Sequence, residues 1–260
     1  FTEQYILAEI LAGRLARATS LSVETAPSLG STVAFDALNA GDIDVYVDYS
    51  GTIWATVMKR ETSASDRAQV LKEVERYLDE THGITVAAAL GFENTYALAM
   101  RRNDAERMGI RRISDLALHS KKLSMGGDYE FFGRTEWRSL QERYGLEFAE
   151  RRSMDPSLMY QAAGQGTVDV VSAFSTDGRI EAFDLVVLED DRHAIPPYDA
   201  IVLVSERLAR EEPAAMAALA GLAGKIDADA MRRMNLAVDR DGKSAGAVGA
   251  AFLEALKPDP

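Results

Sequence analysis

Two stretches of this chain repeat one another at a constant offset of about 125 residues, far beyond the ~20–50-residue period of a solenoid. Gly41-Asp-Ile-Asp44-Val45-Tyr-Val-Asp-Tyr49-Ser50 aligns without a gap on Gly166-Thr-Val-Asp169-Val170-Val-Ser-Ala-Phe174-Ser175. Upstream, Ser28 matches Ser153, Ala37 matches Ala162, and Phe35 faces Tyr160. Each copy closes a predicted strand on an aromatic ring followed by a small hydroxyl residue. A duplication of this length predicts two similar lobes. Set face to face, such lobes would present Tyr49 and Phe174 from opposite walls of a cleft.

Hydrophobic periodicity fills in the rest. Residues 3–18 carry Ile6, Leu7, Ile10, Leu11 and Leu15 on one helical face, with Thr2 as the expected N-cap. Helices are predicted at Thr32–Ala40, 64–82, Asp104–Met108, from Ser114, Thr135–Tyr144 closing at Gly145, and Leu158–Gln165. The Ala-rich tail from Ala214 to Leu256 reads as helical with a break near Asp239–Lys243. Strands are predicted at Leu21–Thr25, Ile43–Val47, Ile84–Leu90, Tyr96–Arg101, Lys122–Met125, Glu147–Arg151, Val168–Ser172, Asp184–Glu189 and Ala200–Val204. Alternating strands and helices define an α/β chain. The pattern restarts beyond Met100 and returns at Pro196-Pro197, with no Pro/Ser-rich tether. Lobe 2 is therefore expected at 97–196, and lobe 1 to be assembled from 1–96 and 197–260, with the C-terminal helices packed on it.

Composition excludes several functions. A chain of 29 basic and 41 acidic residues, net charge −12, lacks the clustered Lys and Arg that nucleic acid requires. No apolar run reaches the roughly 18 residues of a membrane span. The absence of cysteine removes disulfides, thiolate metal sites and Cys nucleophiles. His82, His119 and His193 have no metal-ligand spacing, and neither a zinc-protease helix nor a Gly-x-Ser-x-Gly elbow is present. Met125-Gly-Gly-Asp128 is expected to be a tight turn rather than an anion site. Asp44 and Asp169, recurring before apolar strands, are expected to hold structure. No catalytic residue, metal or cofactor is expected, and an enzyme on a two-lobed scaffold is the least favoured reading.

Four aromatics stand out: Tyr49, Tyr96, Phe174 and Tyr198 all sit at strand ends or crossings beside turn-forming residues. A quaternary ammonium donates no hydrogen bond, so a protein holds it through ring faces, each worth roughly 0.5–2 kcal/mol when desolvated. Four rings from two lobes suit such a cage. A carboxylate on the same ligand needs donors, and Arg134, Asn94, Gln4 and Thr52 are available.

The chain resembles the substrate-binding components of osmoprotectant ABC importers for glycine betaine, choline and carnitine. Phe1-Thr-Glu-Gln4, Gly41 through Thr52, Asn94-Thr-Tyr96, Glu130-Phe-Phe-Gly-Arg134, Ser175-Thr-Asp-Gly-Arg-Ile180, and Glu189-Asp-Asp191 followed by Pro196-Pro-Tyr198 carry the likeness over nearly the whole length. The resemblance implies a two-lobed periplasmic-binding-protein fold of the second type with the ligand cleft between lobes. It implies an exported, monomeric carrier, periplasmic or extracellular, serving an ABC permease in the membrane. Positions matching Tyr49, Tyr96 and Tyr198 form the aromatic cage in relatives, where the position of Phe174 is commonly Tyr. Gln4, Thr52, Asn94 and Arg134 match positions that support or bind the ligand's polar end. Some relatives recognise other betaines such as ergothioneine, so a sensing or permease-fused domain for such a solute is the alternative.

Overall fold

The computed structural model describes residues 2–26, 30–60 and 66–256. Ser28 of the repeat lies outside them. Eight strands are present among the described residues: β1 (Val45–Tyr49), β2 (Thr85–Glu93), β3 (Tyr96–Arg101), β4 (Ser124–Gly127), β5 (Glu150–Ser153), β6 (Val170–Phe174), β7 (Leu185–Val187) and β8 (Asp199–Val204). The chain divides into two compact units. One comprises the described residues up to 60, Arg67–Glu93 and the described residues from Tyr198 onward; the other comprises Asn94–Pro197 together with Asp66.

The first unit is built on a three-stranded sheet of order β1-β8-β2, with both outer strands antiparallel to β8. Every residue of β8 is buried, and its alternation shows why. Ala200, Val202 and Val204 join one core with Ile6, Ile10, Leu15, Met231 and Leu253, whereas Ile201 and Leu203 join another with Phe35, Ile53, Val74 and Leu78. A strand apolar on both faces needs a helical layer on each. The N-terminal helix Thr2–Ala18 and the C-terminal helices cover one face; Ser31–Ala40 and Arg67–His82 cover the other.

The second unit holds a five-stranded sheet of order β5-β4-β6-β3-β7. β4 runs parallel to β5 and β6, while β3 is antiparallel to β6 and β7. Alternation again splits the side chains. Leu98, Met100 and Val170 enter a core with Phe131, Trp137 and Leu140, and Ala99, Val171 and Ala173 enter another with Met159, Tyr160 and Ile180.

Several expectations need correction. The chain leaves the first unit after Glu93 and re-enters at Tyr198, so the expected cuts after 96 and 196 shift slightly. Asn94 and Tyr96 belong to the second unit, where β3 pairs with β6 from Tyr96 to Met100. Leu21–Thr25 is not a strand; Leu21 and Val23 pack on the first core without backbone pairing. Thr2 lies within the first helix, and its hydroxyl donates to Asp239 at 2.6 Å instead of capping. The tail breaks a second time between Ala220 and Ala228, where the N–H groups of Gly224 and Ile226 donate to the Ala89 and Leu90 carbonyls of the edge strand β2. Finally, Gly126 and Gly127 are not a tight turn but the end of β4. A Cβ on Gly127 would lie 2.9 Å from Phe132 and 3.2 Å from Phe131. Glycine is there for close packing.

The helix 135–144 closes at Gly145, whose φ of 66° is the left-handed cap conformation that glycine adopts without strain.

Candidate functional site

In the first unit, β1 delivers Tyr49 to the end of the sheet, opposite Ala200 of β8. Directly opposed residues share a face, and Tyr198 lies two residues before Ala200, so Tyr49 and Tyr198 belong to the same side of this sheet. Both pack on the core that holds Ile6 and Ile10. The phenol of Tyr49 donates to Oε1 of the buried Glu3, and Gln4 Nε2 donates to the Tyr49 oxygen at 3.2 Å. Asn235 Nδ2 reaches the other Glu3 oxygen at 3.2 Å. Glu3 thus orients Tyr49 from the first helical turn; sequence reading chose its neighbour Gln4 and missed it. The signal was an acidic residue three before Ile6, on the side facing the core.

Tyr49 is followed by the short turn Ser50–Thr52 and a π-helical turn, Ile53–Val57. Thr52 lines a cavity of about 230 Å³ together with Phe35, Asp36, Asp48 and Thr56. Asp48 is only 3% exposed. Its carboxylate accepts the Tyr49 N–H at 2.7 Å and the Tyr46 hydroxyl at 2.8 Å. Burial pushes that carboxyl up to about 6, partly opposed by those two donors, which favour the ionised form. Burial also raises the Tyr46 phenol, and the neighbouring Asp48 adds to this.

The start of β8 is held by charge. Ser50 Oγ accepts the Asp199 N–H at 2.9 Å, and the Tyr198 N–H donates to Glu93 at 3.2 Å. Arg67 places Nε and Nη2 on Asp199 Oδ1 at 2.8 and 2.5 Å, with Nη1 3.6 Å from Glu93.

In the second unit, Tyr96 opens β3 opposite Phe174, the last residue of β6. Their ring centroids are 4.8 Å apart, and the Phe131 ring lies 5.2 Å from that of Tyr96. The Tyr96 hydroxyl donates to Asp128 at 3.1 Å. The other Asp128 oxygen accepts the N–H groups of Glu130 and Phe131 at 2.8 and 2.9 Å, which fixes the Phe-Phe-Gly turn under the rings. Burial and the adjacent Asp128 carboxylate raise the Tyr96 phenol above its ordinary range.

Arg134 stacks over the Tyr96 ring with its guanidinium carbon 5.1 Å from the centroid. It also donates twice to the buried Glu136 at 3.2 Å and lies 3.5 Å from Glu130. The expected carboxylate receptor is therefore already engaged by two acids. Asn94 lies two residues before Tyr96, beside Thr95, whose N–H and carbonyl bond Ser175. Phe174 keeps its place because its N–H donates to the Tyr160 hydroxyl at 3.1 Å.

The two strand-end rings of the repeat are not equivalent. Phe174 is 38% exposed, whereas Tyr49 is 8% exposed and packed in its own unit's core. The repeated aspartates do serve structure. Asp44 accepts Ser205 and Arg207, and Asp169 accepts the N–H and hydroxyl of Ser124 at 2.8 Å. Asp128, Phe131 and Glu136, like Glu3, were not singled out from sequence.

Two α/β units and aromatic rings gathered at strand ends are the features of a solute-binding module. It belongs to the family described as the substrate binding domain of ABC-type glycine betaine transport systems, which it matches over residues 1–255. Among relatives, it is 33% identical over 98% of its length to the ergothioneine transport permease/ergothioneine binding protein EgtU of Helicobacter pylori (strain G27), spanning 46% of that protein. It is 30% identical over 97% of its length to the carnitine transport binding protein OpuCC of Listeria monocytogenes, spanning 83% of it. A glycine-betaine-binding protein of Pseudomonas aeruginosa is 32% identical over 97% of this chain, which spans 84% of that protein. A solved glycine betaine/carnitine/choline ABC transporter structure superposes with a TM-score of 0.92 at 30% identity, covering 97% of this chain and 94% of the other. The fold is that of these binding proteins.

Proposed function

We propose that this chain captures a quaternary-ammonium or betaine-type osmolyte and delivers it to an ABC permease, as an exported, monomeric carrier in the periplasm or outside the cell. The ring set Tyr96, Phe174, Tyr198 and Tyr49 holds the cation, with Asn94, Thr52, Gln4 and Arg134 toward the ligand's polar end. One observation carries the reading: the Tyr96 ring, hydrogen-bonded to a carboxylate and packed on Phe131 and Phe174, already has a cationic guanidinium over its face at 5.1 Å. Three acids, Asp128, Glu130 and Glu136, lie around Arg134 and the Tyr96 hydroxyl, and their carboxylates suit a positive guest.

The second reading is a betaine with a larger body, such as ergothioneine, favoured by the EgtU likeness over 98% of this chain. Calorimetry against choline, glycine betaine, carnitine, proline and ergothioneine separates the two. Tyr96→Ala and Tyr198→Ala should each weaken a quaternary ligand by a factor of roughly 2 to 30. Arg134→Ala should penalise glycine betaine, which has a carboxylate, more than choline, which has none. Affinity for every quaternary ligand unchanged by loss of Tyr49, Tyr96 and Tyr198 together would eliminate the cage. Light scattering checks the monomer.

A further inference from the structure

We propose that Arg67 is a positioning residue for the ligand site, acting through the first turn of β8 on Tyr198; this rests on the ring reading of Tyr198. Arg67 begins the helix Arg67–His82, and the sequence marks it only as one more helix-surface cation. Its side chain is 52% exposed, yet it reaches two carboxylates at chosen places. Glu93 is the last residue before the chain leaves the first unit, and Asp199 is the second after it returns. They are cross-strand partners at the ends of β2 and β8.

Two like charges directly opposite on paired strands repel. Arg67 cancels this by placing two donors on Asp199 Oδ1 and a third nitrogen near Glu93. Asp199 is 4% exposed, and its other oxygen, buried, has no hydrogen-bond partner among the described residues. The donors to that carboxyl come from Arg67. Removing the guanidinium leaves an uncompensated buried charge next to a second acid, and the strand end must open or shift. Tyr198 sits inside this network: its N–H donates to Glu93, and the following N–H, that of Asp199, donates to Ser50 of the turn carrying Thr52. Arg67 therefore sets the backbone of a proposed cage ring without touching ligand. Preorganising such a wall is worth affinity because less must be ordered on binding.

The test titrates glycine betaine and choline, separately, into the wild type, Arg67→Gln, Arg67→Lys and the double variant Arg67→Gln/Asp199→Asn. Arg67→Gln should weaken both ligands about tenfold and Arg67→Lys about threefold. Adding Asp199→Asn should recover most of the loss, because the uncompensated charge is gone. Amide exchange of Tyr198 and Asp199 should accelerate in ligand-free Arg67→Gln. Unchanged affinity in a folded Arg67→Gln protein would overturn the proposal. So would a loss confined to glycine betaine and not rescued by Asp199→Asn, since Arg67 would then be meeting the ligand's carboxylate directly. Should Arg67→Gln fail to fold, Arg67→Lys and Asp199→Asn alone carry the comparison. A wild type that binds neither ligand refutes the ring reading instead, and the exchange of the Tyr198 amide still decides whether Arg67 holds that strand end.

Discussion

Replacing Asp48 by Asn should stabilise this protein at neutral pH and make no such difference in acid. The carboxyl lies 3% exposed between β1 and the cavity beside Thr52 and is carried from an ordinary 3.8 to about 6. The folded state thus binds this proton more tightly than the unfolded chain does. Its stability is undiminished below the unfolded value, falls as pH rises toward about 6, and carries the full deficit above. Each pKa unit corresponds to about 1.4 kcal/mol, so the ionised group costs roughly 3 kcal/mol. Asparagine has nearly the same shape, keeps an oxygen for the Tyr49 N–H and does not titrate. Wild-type and variant melting curves should therefore diverge across this window. At roughly 2–4 °C per kcal/mol for domains of this size, the variant should melt on the order of 6–12 °C higher at pH 7.5. At pH 3.5 the gap should close. Scanning calorimetry of both proteins from pH 3.5 to 8 measures it. Parallel curves would show that folding leaves the Asp48 carboxyl unshifted, and a variant less stable at pH 7.5 than at pH 3.5 relative to the wild type would show that Asp48 is stabilised as a carboxylate; either result refutes the burial argument.

Two further outcomes follow from packing. Gly127→Ala places a methyl against Phe132 and Phe131 at 2.9 and 3.2 Å and should cost about 1–3 kcal/mol of stability by urea titration, with weaker ligand binding because the turn beneath Tyr96 moves. Tyr49→Phe leaves buried Glu3 without its phenol donor and should destabilise by about 1–3 kcal/mol, a loss that Glu3→Gln in the same chain should reduce.

The α/β class and most elements were legible because they follow from local pattern, and the family was legible through the resemblance of motifs spread along the chain. β8 reads Ala200-Ile-Val-Leu-Val204 because both its faces are buried, and an uninterrupted apolar run needs no partner to be recognised. The helix 135–144 is bounded by a glycine whose left-handed φ is a property of that one residue. The aromatic set at strand ends was visible too, since each ring stands beside turn-forming residues. Leu21–Thr25 misled because alternation records burial of side chains, not the presence of a neighbouring strand, and here Leu21 and Val23 are partly buried without one.

What tertiary structure alone decided is which charges meet. Arg134 meets the Tyr96 ring, Glu3 takes the phenol of Tyr49, and Arg67 closes on Asp199 from 132 residues away. The two copies of the repeat look alike as strings, yet Tyr160 offers Phe174 a hydroxyl that Phe35, its counterpart, does not have, and one ring emerges while the other is buried. Periodicity reports the burial of a residue on its own element. Hydrogen bonds and ion pairs depend on distances between elements, and those distances exist only once the cores have packed.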